Sequence, residues 1–191
     1  MKFWMLTLCC ALATTAFAAG GNKSVTPIKT ATDSKAAKET SEAIELFKST
    51  DSDMAKWFAN STGYAVFPSV TKGAIGIGAA HGTGEVFEKD KLIGSVSLTQ
   101  VTIGFQLGGQ EYAEVIFFEN KETLDQFKNS KLAMSAQVSA VAAAEGASSD
   151  AKYQQGVAVF TIAKGGLMFE ASVGGQKFKF KPLENPAPAK Q

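Results

Sequence analysis

The sequence predicts an α+β fold: a single domain in which a strongly curved or barrel-like antiparallel β-sheet packs with N-terminal helices and one long Ala-rich helix. Three observations carry that reading. Apolar residues recur at helical spacing between positions 31 and 58. From Gly63 to Phe118 the texture changes to Gly-punctuated runs of Val, Ile and Phe, and no connection between them is long enough for a crossover helix. An Ala-rich stretch opened by Asn120 then separates these runs from a second, shorter set.

The first 18 residues read as a secretory signal, with Lys2 before an apolar run from Phe3 to Leu12 and small residues at Ala16 and Ala18. That places cleavage after Ala18 and the mature chain in the periplasm. The run is shorter than the roughly 20 residues that span a bilayer. A lipoprotein is the lesser alternative: L-T-L-C loosely resembles a lipobox, but Leu8 stands where a small residue belongs before Cys9. Both cysteines, Cys9 and Cys10, fall inside the apolar run, so a mature chain would hold no disulfide and no thiolate site.

Residues 19–30 are polar with Gly and Pro, a flexible lead-in. A first amphipathic helix follows, with Ala36, Ala37, Ile44 and Phe47 on its apolar side. A second short helix is expected with Thr50 and Asp53 spaced as a capping box, and Met54, Trp57 and Phe58 on one face. Strands are expected in Y-A-V-F-P, A-I-G-I-G-A-A, E-V-F-E, L-I-G-S-V-S-L, V-T-I-G-F-Q-L and Y-A-E-V-I-F-F, with glycines marking bends. The Ala-rich helix would run from Asn120 to a stop at Gly146, burying Leu124, Phe127, Met134, Val138 and Val141. Three strands follow, G-V-A-V-F-T-I, G-L-M-F-E-A-S-V and K-F-K-F-K, and residues 182–191 read as a disordered Pro-rich tail. Gly63–Gly73 echoes Gly156–Gly165, which slightly favours internal pseudo-symmetry.

Charge and chemistry exclude several classes. All 19 basic residues are lysines, and without Lys2 the formal net charge is zero. A nucleic-acid binder would show a basic excess rich in arginine. A single histidine, His81, leaves no imidazole cluster for a metal, and G-I-G-A-A-H-G leads into a strand where a phosphate-binding loop would lead into a helix. No Walker sequence, G-x-S-x-G or paired carboxylates are present, so neither catalysis nor a cofactor is expected. In K-F-K-F-K, Lys177, Lys179 and Lys181 share one face of a strand, either as an edge guarded against aggregation or as a contact for anionic headgroups.

Three motifs in order, the stretch from Phe58 to Gly84, T-I-G-F-Q-L-G-G-Q-E-Y-A-E-V-I-F-F and V-A-V-F-T-I-A-K-G-G-L-M-F-E-A-S-V, resemble the SYLF domain family over about residues 31–181. The resemblance implies a lipid-binding module; eukaryotic relatives bind phosphoinositide membranes, and yeast relatives also bind actin. Only the general character of residues 31–48 matches the family's N-terminal amphipathic segment. The expectation is a non-enzymatic, peripheral lipid-binding protein of the cell envelope that meets phospholipid through Lys72, Lys164, Lys177, Lys179 and Lys181. Lys72 and Lys164 enter because each sits in the repeated Lys-Gly step. The rival expectations are an envelope scaffold that binds a protein partner without lipid, and a soluble carrier of an apolar ligand.

Overall fold

The computed structural model describes residues 31–132, 139–165 and 175–183, with side chains outside that description at 31–34, 74–77 and 102–108. The expected signal sequence and lead-in, residues 184–191, the expected strand G-L-M-F-E-A-S-V, Met134 and Val138 lie outside the described residues. Helices α1 (Ala31–Thr50) and α2 (Met54–Asn60) precede two very long strands, β1 (Gly63–Glu88) and β2 (Lys91–Phe118). Helix α3 (Lys121–Lys128) and strands β3 (Ala140–Ala142), β4 (Val157–Gly165) and β5 (Gln176–Pro182) follow. The described strands form one open sheet in the order β1-β2-β4-β3, with β5 paired to the first half of β2.

Six expected strands are therefore two. A tight turn at Lys89 and Asp90, both at positive φ, joins β1 to β2, and the pair stays in antiparallel register from Gly63↔Phe118 to Glu88↔Lys91. Bulges at Phe67/Val70, Ile75/Ile77 and Val86/Phe87 bend the ribbon without breaking it. The bend folds β1 back over itself. One apolar cluster contains Ala65, Phe67 and Val70 from its first half together with Ala80 and Val86 from its second. At the closest approach there is room only for glycine: a Cβ on Gly82 would lie 2.8 Å from Val70 Cγ2, and one on Gly84 would overlap the Val66 carbonyl.

The fold-back divides the sheet into two regimes. Around β2 residues 112–118 both faces are buried, so every residue is covered. On one face, α1 and α2 bring Ala43, Phe47, Met54 and Phe58 against Tyr64, Val66, Val115, Phe117 and Phe160. Trp57 packs edge-on against Phe160 at 5.1 Å. The other face is the interior of the curl, where Phe67, Phe118, Phe127 and Phe178 meet. Around β2 residues 94–100, only the interior face is covered and burial alternates.

Several local expectations are corrected. The long Ala-rich helix is a single eight-residue α3; Asn120 does cap it, accepting from the Thr123 N–H at 2.9 Å, but the chain turns away after Lys128 and residues 140–142 pair with β4 instead. Alanine propensity yields there to sheet hydrogen bonds on the β4 edge, a parallel pairing that makes the sheet mixed where an antiparallel one was expected. Gly146, the expected helix stop, lies in a turn at φ +77°. The capping box at Thr50 and Asp53 does not form: Thr50 Oγ1 donates back to the Leu46 carbonyl, and Asp53 caps nothing with its side chain. Asp51 takes over the corner. Its two carboxylate oxygens accept from the Asp53 N–H at 3.1 Å and the Ser148 N–H at 2.8 Å, while the Trp57 indole donates to the Ser148 carbonyl.

The echoed segments do flank the same strand, but Tyr64 and Ala158 share Phe117 as their cross-strand neighbour, one position off the sequence echo. A shift of one residue exchanges faces, so Phe67 points into the curl and Phe160 towards the helices. That argues against pseudo-symmetry.

The interior also holds a buried polar group. Glu114 is fully buried and its Oε2 accepts from Gln176 Nε2 at 2.9 Å, joining the two halves of the folded ribbon. Burial pushes its carboxyl up to about 7, with the Gln176 bond pulling the other way. Glu114 also holds the neighbouring Tyr112 phenol, already raised by its own burial, above its ordinary value. Asp51 has the opposite balance: burial would raise it, but the N–H donors of Ser148 and Asp53 leave it below its ordinary value.

Two measurements check these contacts. Gly84→Ala should cost about 3 kcal/mol or more in a urea titration, since the methyl overlaps backbone, whereas Gly73→Ala, which meets nothing within 4 Å, should change little; equal costs would show that the fold-back is looser than described. The second is a pH profile. A carboxyl raised on folding stabilises while protonated, so the Glu114 contribution is complete below pH 4.5 and is lost as pH climbs through about 7, a fall of about 3 kcal/mol. Glu114→Gln should flatten that slope. Asp51 acts in the acid direction, losing its contribution as pH drops below about 4, and Asp51→Asn should remove only that limb.

Candidate functional site

β5 pairs with β2 through Gln100↔Gln176, Leu98↔Phe178 and Val96↔Phe180, and these residues face the curl. The alternate positions face outward, and there the register builds three cross-strand rows. Lys177 lies beside Thr99 and His81, Lys179 beside Ser97 and Thr83, and Lys181 beside Ser95 and Glu85. Lysines in successive rows stand roughly 7 Å apart along the strand. All three are exposed, and among the described residues no carboxylate lies within the 4.0 Å ion-pairing distance of any of them. Each phenylalanine between them is held inside: Phe178 contacts Phe67 and Phe127.

Short hydroxyl side chains on β2 keep this face flat, so the lysine stems lie beside hydroxyl groups that can donate to an anion. Exposed apolar residues border it. Val101, 63% exposed, continues the outward series beyond Thr99, and Leu183, 54% exposed, follows Lys181 with its N–H bonded to the Ile93 carbonyl. Pro182 closes β5 where a tail was expected to start. The face therefore combines three cations, hydroxyl donors and apolar margins against a single carboxylate, Glu85. Cations and hydroxyl donors are the groups that can meet a phosphate by charge and hydrogen bonds, and here they have apolar side chains at their margin.

The other two lysines singled out in the sequence lie elsewhere. Lys72 is buried on the interior side of β1, 7% exposed, opposite Gln110. Lys164 is exposed at the end of β4, in a cleft of about 390 Å³ between α1 and the sheet. Three carboxylates share that cleft: Glu39, Glu42 and Glu111. Glu39 and Glu42 pair with Lys35 and Lys38 along α1, and Glu111 accepts from Ser69 at 2.8 Å. The negative groups around Lys164 oppose the approach of an anion. The Lys-Gly step thus has two unrelated surroundings, and the structure groups only Lys177, Lys179 and Lys181.

Sequence reasoning did not find His81, Thr83, Ser95, Ser97 and Thr99 as neighbours of these lysines. The rows join positions about 80 residues apart, and only the register of β5 on β2 reveals them. Helix α1 presents Thr40, Ala43 and Phe47 to the sheet, a narrower seam than the predicted stripe, with its remaining surface bearing i,i+3 and i,i+4 ion pairs. Among the described residues no group of three His, Cys, Asp or Glu converges as metal ligands would, and no helix is long and apolar enough to cross a membrane.

Comparison with known proteins bears on the same region. Residues 99–187, which run from the middle of β2 past the end of β5, match the Ysc84 family, described as Las17-binding protein actin regulator. The chain is also 31% identical over 122 residues to Beta cell expansion factor A of Aeromonas veronii. That alignment covers 63% of this chain and 46% of the relative, so the chain spans less than half the length of the protein it matches. The motifs, the family match over residues 99–187 and the similarity to this relative are together consistent with the SYLF domain family.

Proposed function

We propose that the chain is a non-enzymatic, peripheral membrane-binding module of the bacterial cell envelope that meets anionic phospholipid headgroups through the outward face of β5. The observation that carries this reading is the set of three lysine-hydroxyl rows with apolar margins at Val101 and Leu183. With formal net charge near zero, long-range attraction to a membrane is weak, so a local cluster must supply the affinity. Each lysine close to an anionic surface contributes about 1 kcal/mol. Lys72 and Lys164 take a lesser part, the first because it is buried and the second because carboxylates surround it.

The interior of the curl is occupied by Phe67, Phe118, Phe127 and Phe178, which favours a ligand met outside over one enclosed within. The family description names binding to Las17 and regulation of actin, so an adaptor role towards a protein partner is the competing reading. Export fits either. The residues up to Ala18 have the pattern of a cleaved secretory signal, and the intact mass of protein from a periplasmic extract should correspond to a chain starting at Ala19. A mass retaining residues 1–18, or one carrying an acyl group at Cys9 or Cys10, overturns soluble export.

The decisive experiment is co-sedimentation with liposomes of anionic and of zwitterionic phospholipid across a salt series. Binding should require anionic lipid and weaken as salt rises. Replacing Lys177, Lys179 and Lys181 together by Gln should weaken binding at low salt by at least tenfold with the melting temperature unchanged, and Lys164→Gln should have little effect. Undiminished binding by the triple variant overturns the assignment of this face. Capture of a protein partner with no liposome binding supports the adaptor reading.

A further inference from the structure

The chain has a single histidine, and strand register places it on the lysine face. His81 on β1 lies opposite Thr99 on β2, which lies opposite Lys177 on β5. It is exposed, whereas Ala80 and Gly82 on either side of it are buried. Its outward neighbours on β1 and β2 carry no charge: Ala79 and Thr83 along its own strand, Ser97 and Val101 on the diagonals. Two cations, Lys177 and Lys179, stand beyond them on β5. The one carboxylate of the face, Glu85, is two rows farther along β1, about 13 Å away. Among the described residues no carboxylate lies within ion-pairing distance of the imidazole.

A neutral imidazole leaves this face with three lysines against Glu85, and a protonated one adds a fourth cation. Because the whole chain is close to neutral, the local count of charges sets the attraction, and one more cation changes it substantially. Imidazole is the side chain whose charge ordinarily changes between about pH 5 and pH 8, a range over which a lysine ammonium ordinarily keeps its proton. Two fields act on the ring. Lys177, two strands away at about 10 Å, disfavours the charged form, but that separation exceeds the roughly 8 Å over which physiological salt leaves exposed charges unscreened. An anionic layer laid directly against the face favours it. Linkage then fixes the sign: a group whose protonated form is favoured in the bound state makes binding take up a proton, so affinity rises as pH falls.

We propose that His81 is the pH-responsive contact of the lysine face, so that the protein holds anionic phospholipid more tightly in mildly acid than in mildly alkaline surroundings. The inference rests on the membrane-binding reading of this face and names its regulation. The buried Glu114 is a separate group. It lies at an interior position of β2, so its titration bears on stability and leaves the charge of the outward face unchanged.

The test is binding of the full chain to phosphatidylglycerol vesicles at low salt, at about pH 5.5 and about pH 8, either end of the imidazole range. The phosphodiester keeps its charge over that interval, so a change in affinity belongs to the protein. Affinity should be about fivefold higher at the lower pH, the worth of one cation beside an anionic surface, and the difference should vanish at high salt. His81→Gln should bind equally at both pH values, and His81→Lys should bind at the higher pH as the parent does at the lower. Thr83→His in the His81→Gln background returns an imidazole to the face one row along and should restore the response, while Glu114→Gln should keep it. Positions 81 and 83 are exposed, so the melting temperature should not move. Equal affinity of the parent at both pH values, with binding still lost in the triple lysine variant, overturns this inference and leaves the membrane-binding reading standing. A pH response that survives in His81→Gln also overturns it, since the titrating group is then elsewhere. No binding by the parent at either pH overturns both.

Discussion

Among the described glycines, the tightest contact is that of a strand with itself. β1 can lie across its own first half only because Gly82 and Gly84 present no side chain where Val70 and the Val66 carbonyl come near. A flat ribbon of this length would leave one apolar face in water along its whole extent, and two strands alone are marginal. Folding the ribbon over brings Ala65, Phe67 and Val70 against Ala80 and Val86 and closes that face. α3 and β5 then add Phe127 and Phe178 from the side, and the ring contacts between them at 4.9 Å anchor the strand that bears the lysines.

The outward face follows from the same constraint. Where the start of β1 pairs with the end of β2, helices α1 and α2 cover what the curl leaves open, so Tyr64, Val66, Phe117 and Phe160 are all buried. No described element covers the hairpin end, where the end of β1 pairs with the start of β2, from outside, and its residues alternate between buried inward and exposed outward positions. A strand whose inward positions are Gln176, Phe178 and Phe180 must present Lys177, Lys179 and Lys181 on the other side. Three like charges about 7 Å apart repel one another, and the hydroxyls of β2 leave them in water where that repulsion is small. The same arrangement guards the strand edge with charge, and among the described residues no carboxylate pairs with the three lysines.

Much of this was legible in the sequence because it is written in local pattern. The helices at α1 and α2, the apolar runs and the Asn120 cap each follow from spacing and capping chemistry. What could not be read were the relations between distant segments. Continuous antiparallel pairing turns six glycine-interrupted runs into two strands, because a glycine weakens a strand without ending it when its partner is in register. The Ala-rich segment shows the limit of propensity: after Lys128, pairing of residues 140–142 with β4 outweighs a helical preference of a few tenths of a kcal/mol per residue. Among the candidate lysines, the three separated by single residues share a face by strand geometry alone. Lys72 and Lys164 were joined only by similar flanking sequence, which says nothing about what packs around them.

The oxygen-lined seam was invisible for a related reason. Glu, Gln and Thr are residue types found on every surface, and the burial of Glu114, Thr161 and Gln176 exists only once the ribbon has folded over. The bond between Glu114 and Gln176 then has a double character. It fixes the register of the two halves, since a slip of one residue would send both side chains outward, and it places acceptors in an apolar interior where a proton or a hydroxyl donor must answer them. Apolar contacts at the crossing set how closely the halves approach, and this polar contact selects which of the neighbouring registers they adopt.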